Sequence, residues 1–316
     1  MSPTTKPKRW KTLLAFAIIY FVWGSTFFAI RIGVQQLPPL LFAAMRFLTA
    51  GVLLYTWMRI SGTPSPTGRQ WAGACLLGFV IFVLDYGLLF WAERRVASGI
   101  AAVMLATIPM FMALAEIIFL RTQKLTLRLA LAMLVGLGGV GVLVNPSVGF
   151  GQAPVDSLGA AALVVAAICW SIASVLPRKL PLPESKAMSS SAQMLTGGFM
   201  LTTAAALFGD FRGFSVRTIQ PLVWVALAYL IVAGSIIGFT AYVWLIRHES
   251  PTKVGTYAYV NPVVAVLLGY FVGGEALGAR TILGTLLVLV SVVVITTTPK
   301  QKSRVIVAEE LEEIVE

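Results

Sequence analysis

Apolar segments of about 20 residues follow one another along almost the whole chain, and each is long enough to cross roughly 30 Å of hydrocarbon as a helix. We place ten of them, at 13–33, 40–60, 71–91, 97–120, 126–145, 157–177, 188–208, 221–244, 254–273 and 279–297. The runs are continuous, whereas the strands of a membrane barrel alternate in hydrophobicity. With 58% hydrophobic and 12% charged residues, the sequence predicts an all-α membrane protein with ten transmembrane helices and no soluble domain.

The basic residues are unevenly distributed between the connections, and this distribution orients the helices. If the N-terminus is cytosolic, seventeen of the 24 lysines and arginines fall in cytosolic segments, six in external segments, and Arg46 within a span. This is the positive-inside pattern of a multi-pass protein of the cell (inner) membrane. We therefore expect residues 1–12 and the acidic tail 298–316 to lie in the cytoplasm. Because orientation accounts for the net charge of +11, the expected partner is the lipid bilayer, and no nucleic acid is expected.

The two halves of the chain repeat one another. An offset of 153 pairs Pro109 with Pro262, and an offset of 147 pairs LTAG at 48–51 with LTGG at 195–198. Further pairs share these offsets: Trp71 with Trp224, Trp91 with Trp244, Arg94 with Arg247, Trp23 with Trp170, and Arg31 with Arg178. Each half contains five helices, an odd number, so the second half must enter the membrane from the opposite side. The sequence therefore predicts two inverted five-helix repeats, an architecture in which transporters bind substrate at the repeat interface.

Several short stretches resemble the EamA-type repeats of the drug/metabolite transporter superfamily. They are WGSTFFAIR from Trp23, Arg46 in the second segment, TIPMF around Pro109, and YVNPVVAVLLGYFVGGE, which ends at Glu275. The resemblance covers both repeats, which we bound at 13–145 and 157–297. It implies ten helices that move small metabolites, often by exporting amino acids or related solutes. The acidic residue that follows the fourth helix in this family is present once, as Glu275, because the first repeat has RTQ at 121–123.

Pro109 and Pro262 stand inside the equivalent fourth helices of the two repeats. Proline has no amide hydrogen, so each leaves a carbonyl unpaired one turn earlier, at Leu105 and Ala258. In a membrane such a carbonyl must be satisfied by a neighbouring helix or by a wet cavity. A packing kink would explain one proline, whereas two in register favour hinges that border a transport path.

Three ionisable side chains, Arg46, Asp85 and Glu116, lie within the predicted spans. A charge at a helix centre costs about 2.5–3.5 kcal/mol, so each is a functional candidate. Arg46 and Asp85 have similar depths, roughly 10 Å below the outer boundary at a rise of about 1.5 Å per residue, and could form an ion pair. The pair could be a structural lock, or Arg46 could attract a substrate carboxylate or phosphate while Asp85 competes for it. Glu116 lies near a cytosolic helix end, where its carboxylate is expected to reach water.

Aromatic rings and one side-chain amide lie deep enough in the spans to line a cavity. Trp23 and Trp170 are repeat equivalents, and Tyr257 and Asn261 are four residues apart and therefore share a helix face. Together with the charged candidates, the predicted substrate-binding residues are Trp23, Arg46, Asp85, Tyr86, Trp170, Tyr257 and Asn261.

These observations predict a secondary transporter for a small organic metabolite, such as an amino acid, that works by alternating access, with export favoured by the family resemblance. A facilitator or exchanger for another metabolite or drug-like solute is an alternative, and so is a non-transporting sensor or scaffold. The sequence has no Walker A, H-E-x-x-H or G-x-S-x-G motif, so neither direct ATP drive nor an intramembrane enzyme is expected. Two isolated cysteines offer no metal site, and no cofactor is predicted. The glycines at 136–141 permit close helix contact and are compatible with a homodimer.

Overall fold

Helices form the framework of the described part of the chain. The computed structural model describes residues 9–120, 124–145, 155–212, 214–249 and 251–298. The principal helices are α1 (Arg9–Val34), α2 (Pro39–Ile60), α3 (Gly68–Glu93), α4 (Ser98–Leu105 and Ile108–Ala115), α5 (Leu127–Val144), α6 (Ser157–Val175), α7 (Lys186–Leu207), α8 (Pro221–Tyr229, Leu230–Ile237 and Gly238–His248), α9 (Tyr257–Phe271) and α10 (Ala279–Thr297). Each coincides, to within a few residues, with one of the predicted segments.

Eight of these helices are long and apolar enough to cross a membrane. The exceptions in the described part of the chain are α7 and α9. α7 has 22 residues but includes the polar stretch Ser189–Ser191 and Gln193, and α9 is apolar but has only 15 residues. The all-α membrane fold is therefore confirmed, while the count of ten spans stays a prediction.

Equivalent helices of the two repeats pack on one another. α2 packs against α7, and α5 packs against α10. The first helix of each repeat also contacts the fourth helix of the other, so that α1 contacts α9 and α6 contacts α4. Where α2 and α7 cross, a Cβ on Gly198 would lie 2.6 Å from the amide nitrogen of Leu48, and a Cβ on Gly51 would lie 2.8 Å from that of Leu195. Residue numbers thus rise along α2 while those of the contacting residues fall along α7, so the two helices run in opposite directions. The LTAG and LTGG stretches form one pseudo-twofold contact. It requires glycine at positions 51 and 198, because a side chain there would collide with the opposite backbone.

Wide π-helical turns occupy corresponding places in α3 and α8. Phe79–Tyr86 in α3 and Leu230–Ile237 in α8 each contain eight residues. The first includes Asp85 and the second includes Ser235. Most π-helical segments are single turns, and they are frequent at functional sites. The third helix of each repeat therefore departs from α-helical geometry where the polar residues lie.

Successive helices alternate in direction, so the connections fall at two ends of the bundle. We call them the Glu93 end, which includes the α3–α4 and α9–α10 connections, and the Arg59 end, which includes the α2–α3 and α8–α9 connections. In the orientation expected from the basic residues, the Glu93 end faces outward.

Candidate substrate site

Arg46 lies inside the bundle on α2, and only 3% of its surface is exposed. Its Nε donates a 3.2 Å hydrogen bond to Ser235 Oγ in the π-helical part of α8. The guanidinium also lies 4.7 Å from the ring centre of Phe47 and 5.4 Å from that of Tyr86. Its Nη1 is buried and has no hydrogen-bond partner among the described residues. A buried donor of this kind favours an anionic group, because an unpaired buried charge is costly.

Gly234 allows Arg46 and α1 to approach α8 closely. A Cβ at this position would lie 3.3 Å from Arg46 Nη2 and 3.1 Å from Thr26 Cγ2. The carbonyl of Gly234 accepts a 3.2 Å hydrogen bond from Trp23 Nε1. Gly234 and Ser235 of the second repeat therefore bind two predicted site residues of the first repeat, Trp23 and Arg46, respectively.

Two aromatic pairs join the repeats near Arg46, one through Tyr86, which contacts the guanidinium, and one through Trp23, which binds the Gly234 carbonyl. Trp23 of the first repeat meets Tyr257 of the second edge-on, with centroids 5.2 Å apart. Tyr86 of the first repeat meets Trp170 of the second edge-on at 6.0 Å. Each of the two equivalent tryptophans thus packs on a tyrosine of the opposite repeat. Five of the predicted residues lie in one connected group, which we call the Arg46 cluster: Trp23, Arg46, Tyr86, Trp170 and Tyr257.

Asp85 is buried beside this cluster, with 1% of its surface exposed, but the ion pair suggested by its depth is not formed. No ion pair joins Asp85 to Arg46, both of which are described, and its Oδ1 has no hydrogen-bond partner among the described residues. The π-helical part of α3 that carries Asp85 packs on α6. Depth fixes a position along the helix axis, whereas the direction around the axis depends on packing, so equal depth did not imply contact.

Asn261 is buried against the backbone of α1. With its amide nitrogen turned towards acceptors, that nitrogen donates to the carbonyl oxygens of Tyr20 at 3.1 Å, Ile19 at 3.2 Å and Tyr257 at 3.3 Å. The first two carbonyls belong to Ile18–Val22, a π-helical segment whose hydrogen bonding departs from the α-helical pattern. The structure therefore places Asn261 next to Tyr257 but directs its amide to helix backbone.

Pro109 follows an interruption of α4. The helix stops at Leu105, turns through 106–107, and resumes at Ile108, so that Pro109 lies in the first turn of the second part. Ser171 Oγ of α6 donates a 3.1 Å hydrogen bond to the Ile108 carbonyl. A neighbouring helix of the other repeat thus binds a backbone carbonyl next to the break, but this is not the carbonyl of Leu105 that Pro109 was expected to leave unpaired.

Pro262 acts differently, because it lies inside the continuous helix α9. The chain turns earlier, at 255–256, between the short helix Pro251–Val254 and α9. The hydroxyls of Thr256 and Tyr20 are hydrogen-bonded there, which joins this turn to α1. Pro109 and Pro262 are equivalent positions of the two repeats, but the helix interruptions at 106–107 and 255–256 are not equivalent.

Glu116 differs from its prediction. It begins the π-helical segment Glu116–Leu120, and only 5% of its surface is exposed. The expectation that its carboxylate reaches water is therefore wrong, because Glu116 is on the buried side of this helix, whereas Ile118 two residues later is exposed.

Sequence reasoning missed other polar residues. Ser235 is a small hydroxyl in an apolar run, and nothing in the sequence marks it. Glu93 lies beyond the predicted end of the third segment at residue 91, but α3 continues to it and buries its carboxylate completely. Neither Glu93 oxygen has a hydrogen-bond partner among the described residues, and its carbonyl accepts from Arg31 Nη1, which also donates to the Val96 carbonyl at 2.7 Å. The signal that could have found Glu93 is the apolar run before it, because no glycine or proline interrupts the sequence between Gly87 and Gly99.

Comparison with known proteins agrees with the two-repeat architecture. The model of the EamA-like transporter family matches residues 10–145 and again residues 157–297. The chain belongs to this family. The resemblance seen in the sequence is thus confirmed, and the protein is a multi-pass membrane transporter of the EamA-like family.

Relatives and a solved structure are consistent with this membership. The uncharacterized inner membrane transporter YedA of Escherichia coli K12 is 36% identical over 285 residues, which cover 89% of each chain. Protein PagO of Salmonella typhimurium and protein PecM of Dickeya dadantii are each 24% identical, over 85% and 87% of this chain and 88% of their own. One crystal structure with 21% identity has a TM-score of 0.60 and covers 90% of this chain and 97% of its own, so it shares the fold.

Proposed function

We propose that this EamA-like protein is a secondary transporter that exports a small organic solute with an anionic group, such as an amino acid, by alternating access. The observation that carries the proposal is the buried guanidinium of Arg46, whose Nη1 has no hydrogen-bond partner among the described residues. Transporters with inverted repeats bind substrate near the membrane midplane, where the repeats meet. A carboxylate that pairs with Nη1 removes the cost of an unpaired buried cation, so its binding is favourable.

The groups around Arg46 suit an amino acid. Tyr86 and Trp170 on one side and Trp23 on the other offer aromatic faces and edges that can cover an apolar or aromatic side chain. Asp85, next to Tyr86, has an unpaired Oδ1 and supplies an acceptor for the amino group. Because Asp85 and Arg46 do not pair with each other, both remain available to a zwitterion.

The packing of the repeats suits alternating access. One repeat would move relative to the other about the α2–α7 contact, where Gly51 and Gly198 leave the backbones in direct contact. Pro109 would act as the main hinge because it follows the break in α4, and Pro262, inside the continuous helix α9, would act as a weaker one. We place the protein in the cell (inner) membrane with both termini in the cytoplasm, on the strength of the basic residues and of relatives such as YedA.

Flux in purified proteoliposomes tests the proposal. Each amino acid of a panel is compared with the amine that lacks its carboxylate, and only the amino acid should be transported. Arg46→Gln, which copies Gln193 of the second repeat, should lower the flux about 100-fold, the range expected when a buried charge pair loses one partner. Arg59→Gln is the matched control, because it makes the same change at the exposed end of the same helix, and it should leave the flux unchanged.

The same assay separates the alternatives. Equal transport of the amines, or normal flux in Arg46→Gln, would contradict the anion site. Flux that requires solute on both sides would identify an exchanger, and flux that never exceeds the solute gradient would identify a facilitator. Specific binding without any flux would indicate a sensor.

A further inference from the structure

Glu275 joins the two repeats at the Glu93 end. Its Oε1 accepts hydrogen bonds from the backbone nitrogen and from Oγ of Ser98, both at 2.7 Å, and its Oε2 accepts one from the backbone nitrogen of Gly99 at 3.1 Å. Ser98 and Gly99 begin α4 in the first repeat, whereas Glu275 follows α9 in the second. A carboxylate that accepts three hydrogen bonds at a helix N-terminus makes a strong contact, because the bonds are charge-assisted and the helix dipole is favourable.

The glycines before Glu275 make this contact possible. Gly274 has φ of 64°, a left-handed conformation that turns the chain back after α9. A Cβ on Gly269 would lie 2.3 Å from Glu275 Oε2, so the carboxylate lies against α9 where no side chain stands. The backbone nitrogen of Glu275 donates to the Gly269 carbonyl at 2.9 Å, which holds the turn in place.

The first repeat lacks the residues for the equivalent contact at the Arg59 end. The offset of 153 relates Ser98 to Pro251, which has no amide hydrogen to donate. In place of Glu275, the first repeat has the uncharged Thr122 and Gln123. A carboxylate contact of this kind can therefore form at one end of the bundle and not at the other.

We propose that Glu275, Ser98 and Gly99 form a latch that holds the Glu93 end closed and so sets which end of the transporter is open at rest. A cavity of about 460 Å³ lies just outside the latch, open to the surface and lined in part by Phe28, Arg31, Gln35 and Glu275. It is the vestibule that solute crosses when the latch opens. The inference rests on the proposed alternating access, and it makes Glu275 a positioning residue that touches no substrate in the Arg46 cluster.

Distances between spin labels at both ends test the latch in the full-length protein. Labels replace Arg94 and Val272, both exposed at the Glu93 end, and in a second sample Ser61 and Lys179, both exposed at the Arg59 end. Serines replace Cys75 and Cys169 in all samples. The parent should show a single short distance at the Glu93 end. Glu275→Gln should raise the long-distance population there about tenfold, the effect of losing one charge-assisted bond, and should shorten the distance at the Arg59 end.

Two further variants keep the test decisive. Ser98→Pro copies Pro251 and removes two of the three donors to Glu275. α4 tolerates the change because proline suits the first helical position. This variant should shift both distances in the same directions as Glu275→Gln. Glu249→Gln is the matched control, since it neutralises a carboxylate that pairs with Lys253 at the Arg59 end, and it should shift neither distance. Unchanged distances in both latch variants would overturn the latch, even if flux is normal. Shifted distances without flux of any solute would support the latch and contradict the proposed transport.

Discussion

Ser235 of the second repeat orients Arg46 of the first. Arg46 Nε donates to Ser235 Oγ at 3.2 Å, and the same hydroxyl donates to the Leu230 carbonyl at 3.0 Å. The second bond spans five residues, the spacing of a π-helix, so the unusual backbone of α8 fixes the hydroxyl that receives the guanidinium. The consequence is that Nε is bound to protein, while Nη1 has no hydrogen-bond partner among the described residues.

Double-mutant cycles should distinguish the real partner of Arg46 from the expected one. In folded yield, which does not depend on the substrate that both charges are proposed to bind, Arg46→Gln and Ser235→Ala should be coupled by about 0.5–3 kcal/mol, as for residues in contact. Arg46→Gln and Asp85→Asn should show weaker coupling, because no ion pair joins them. Stronger coupling to Asp85 than to Ser235 in folded yield would show that the two charges pair in the folded protein.

The crossing of α2 and α7 should not tolerate a methyl group. Gly198→Ala places a Cβ 2.6 Å from the backbone nitrogen of Leu48, so the helices must separate, and we expect a loss of about 1–3 kcal/mol in the free energy of unfolding in detergent. Gly138→Ala on α5 is the control, because no atom lies within 4 Å of its added Cβ. A loss of stability as large in the control would show that glycine flexibility, and not close contact, is responsible.

The two prolines should differ in their importance for transport. Pro109→Ala should leave the melting temperature nearly unchanged and slow the flux, because α4 can then close the break at 106–107. Pro262→Ala should have a smaller effect, since α9 is already continuous. The idea of a hinge in α4 fails if Pro109→Ala transports at the parent rate, or if Pro262→Ala is the slower variant.

Labelling of single cysteines should place the two ends on opposite sides of the membrane. Ser61→Cys and Ser157→Cys introduce the same side chain at exposed positions of the Arg59 end and the Glu93 end, respectively. In whole cells, with Cys75 and Cys169 replaced, an impermeant thiol reagent should modify only Ser157→Cys. Modification of Ser61→Cys alone would reverse the orientation, and modification of both would contradict the spans between them.

The sequence by itself determined the helices and their repetition. Apolar runs of this length can satisfy their backbone in a membrane only as helices, and the offsets that align Pro109 with Pro262 and LTAG with LTGG show two related halves. Residue type alone also marked Trp23, Arg46 and Trp170 as unusual at such depth, because polar and amphipathic side chains inside a span need a reason. These inferences depend on local composition, so no tertiary information was needed for them.

Only the tertiary structure decided which of these residues meet. Arg46 and Asp85 have similar depths, yet Arg46 binds Ser235 on α8 and no ion pair joins it to Asp85. The direction of a side chain around its helix depends on π-helical turns and on contacts with distant helices, neither of which has a local sequence signal. The same reason explains why Glu275 stood out in a motif while its partners Ser98 and Gly99 did not: they are joined by the packing of one repeat on the other, which sequence spacing within a single helix does not encode.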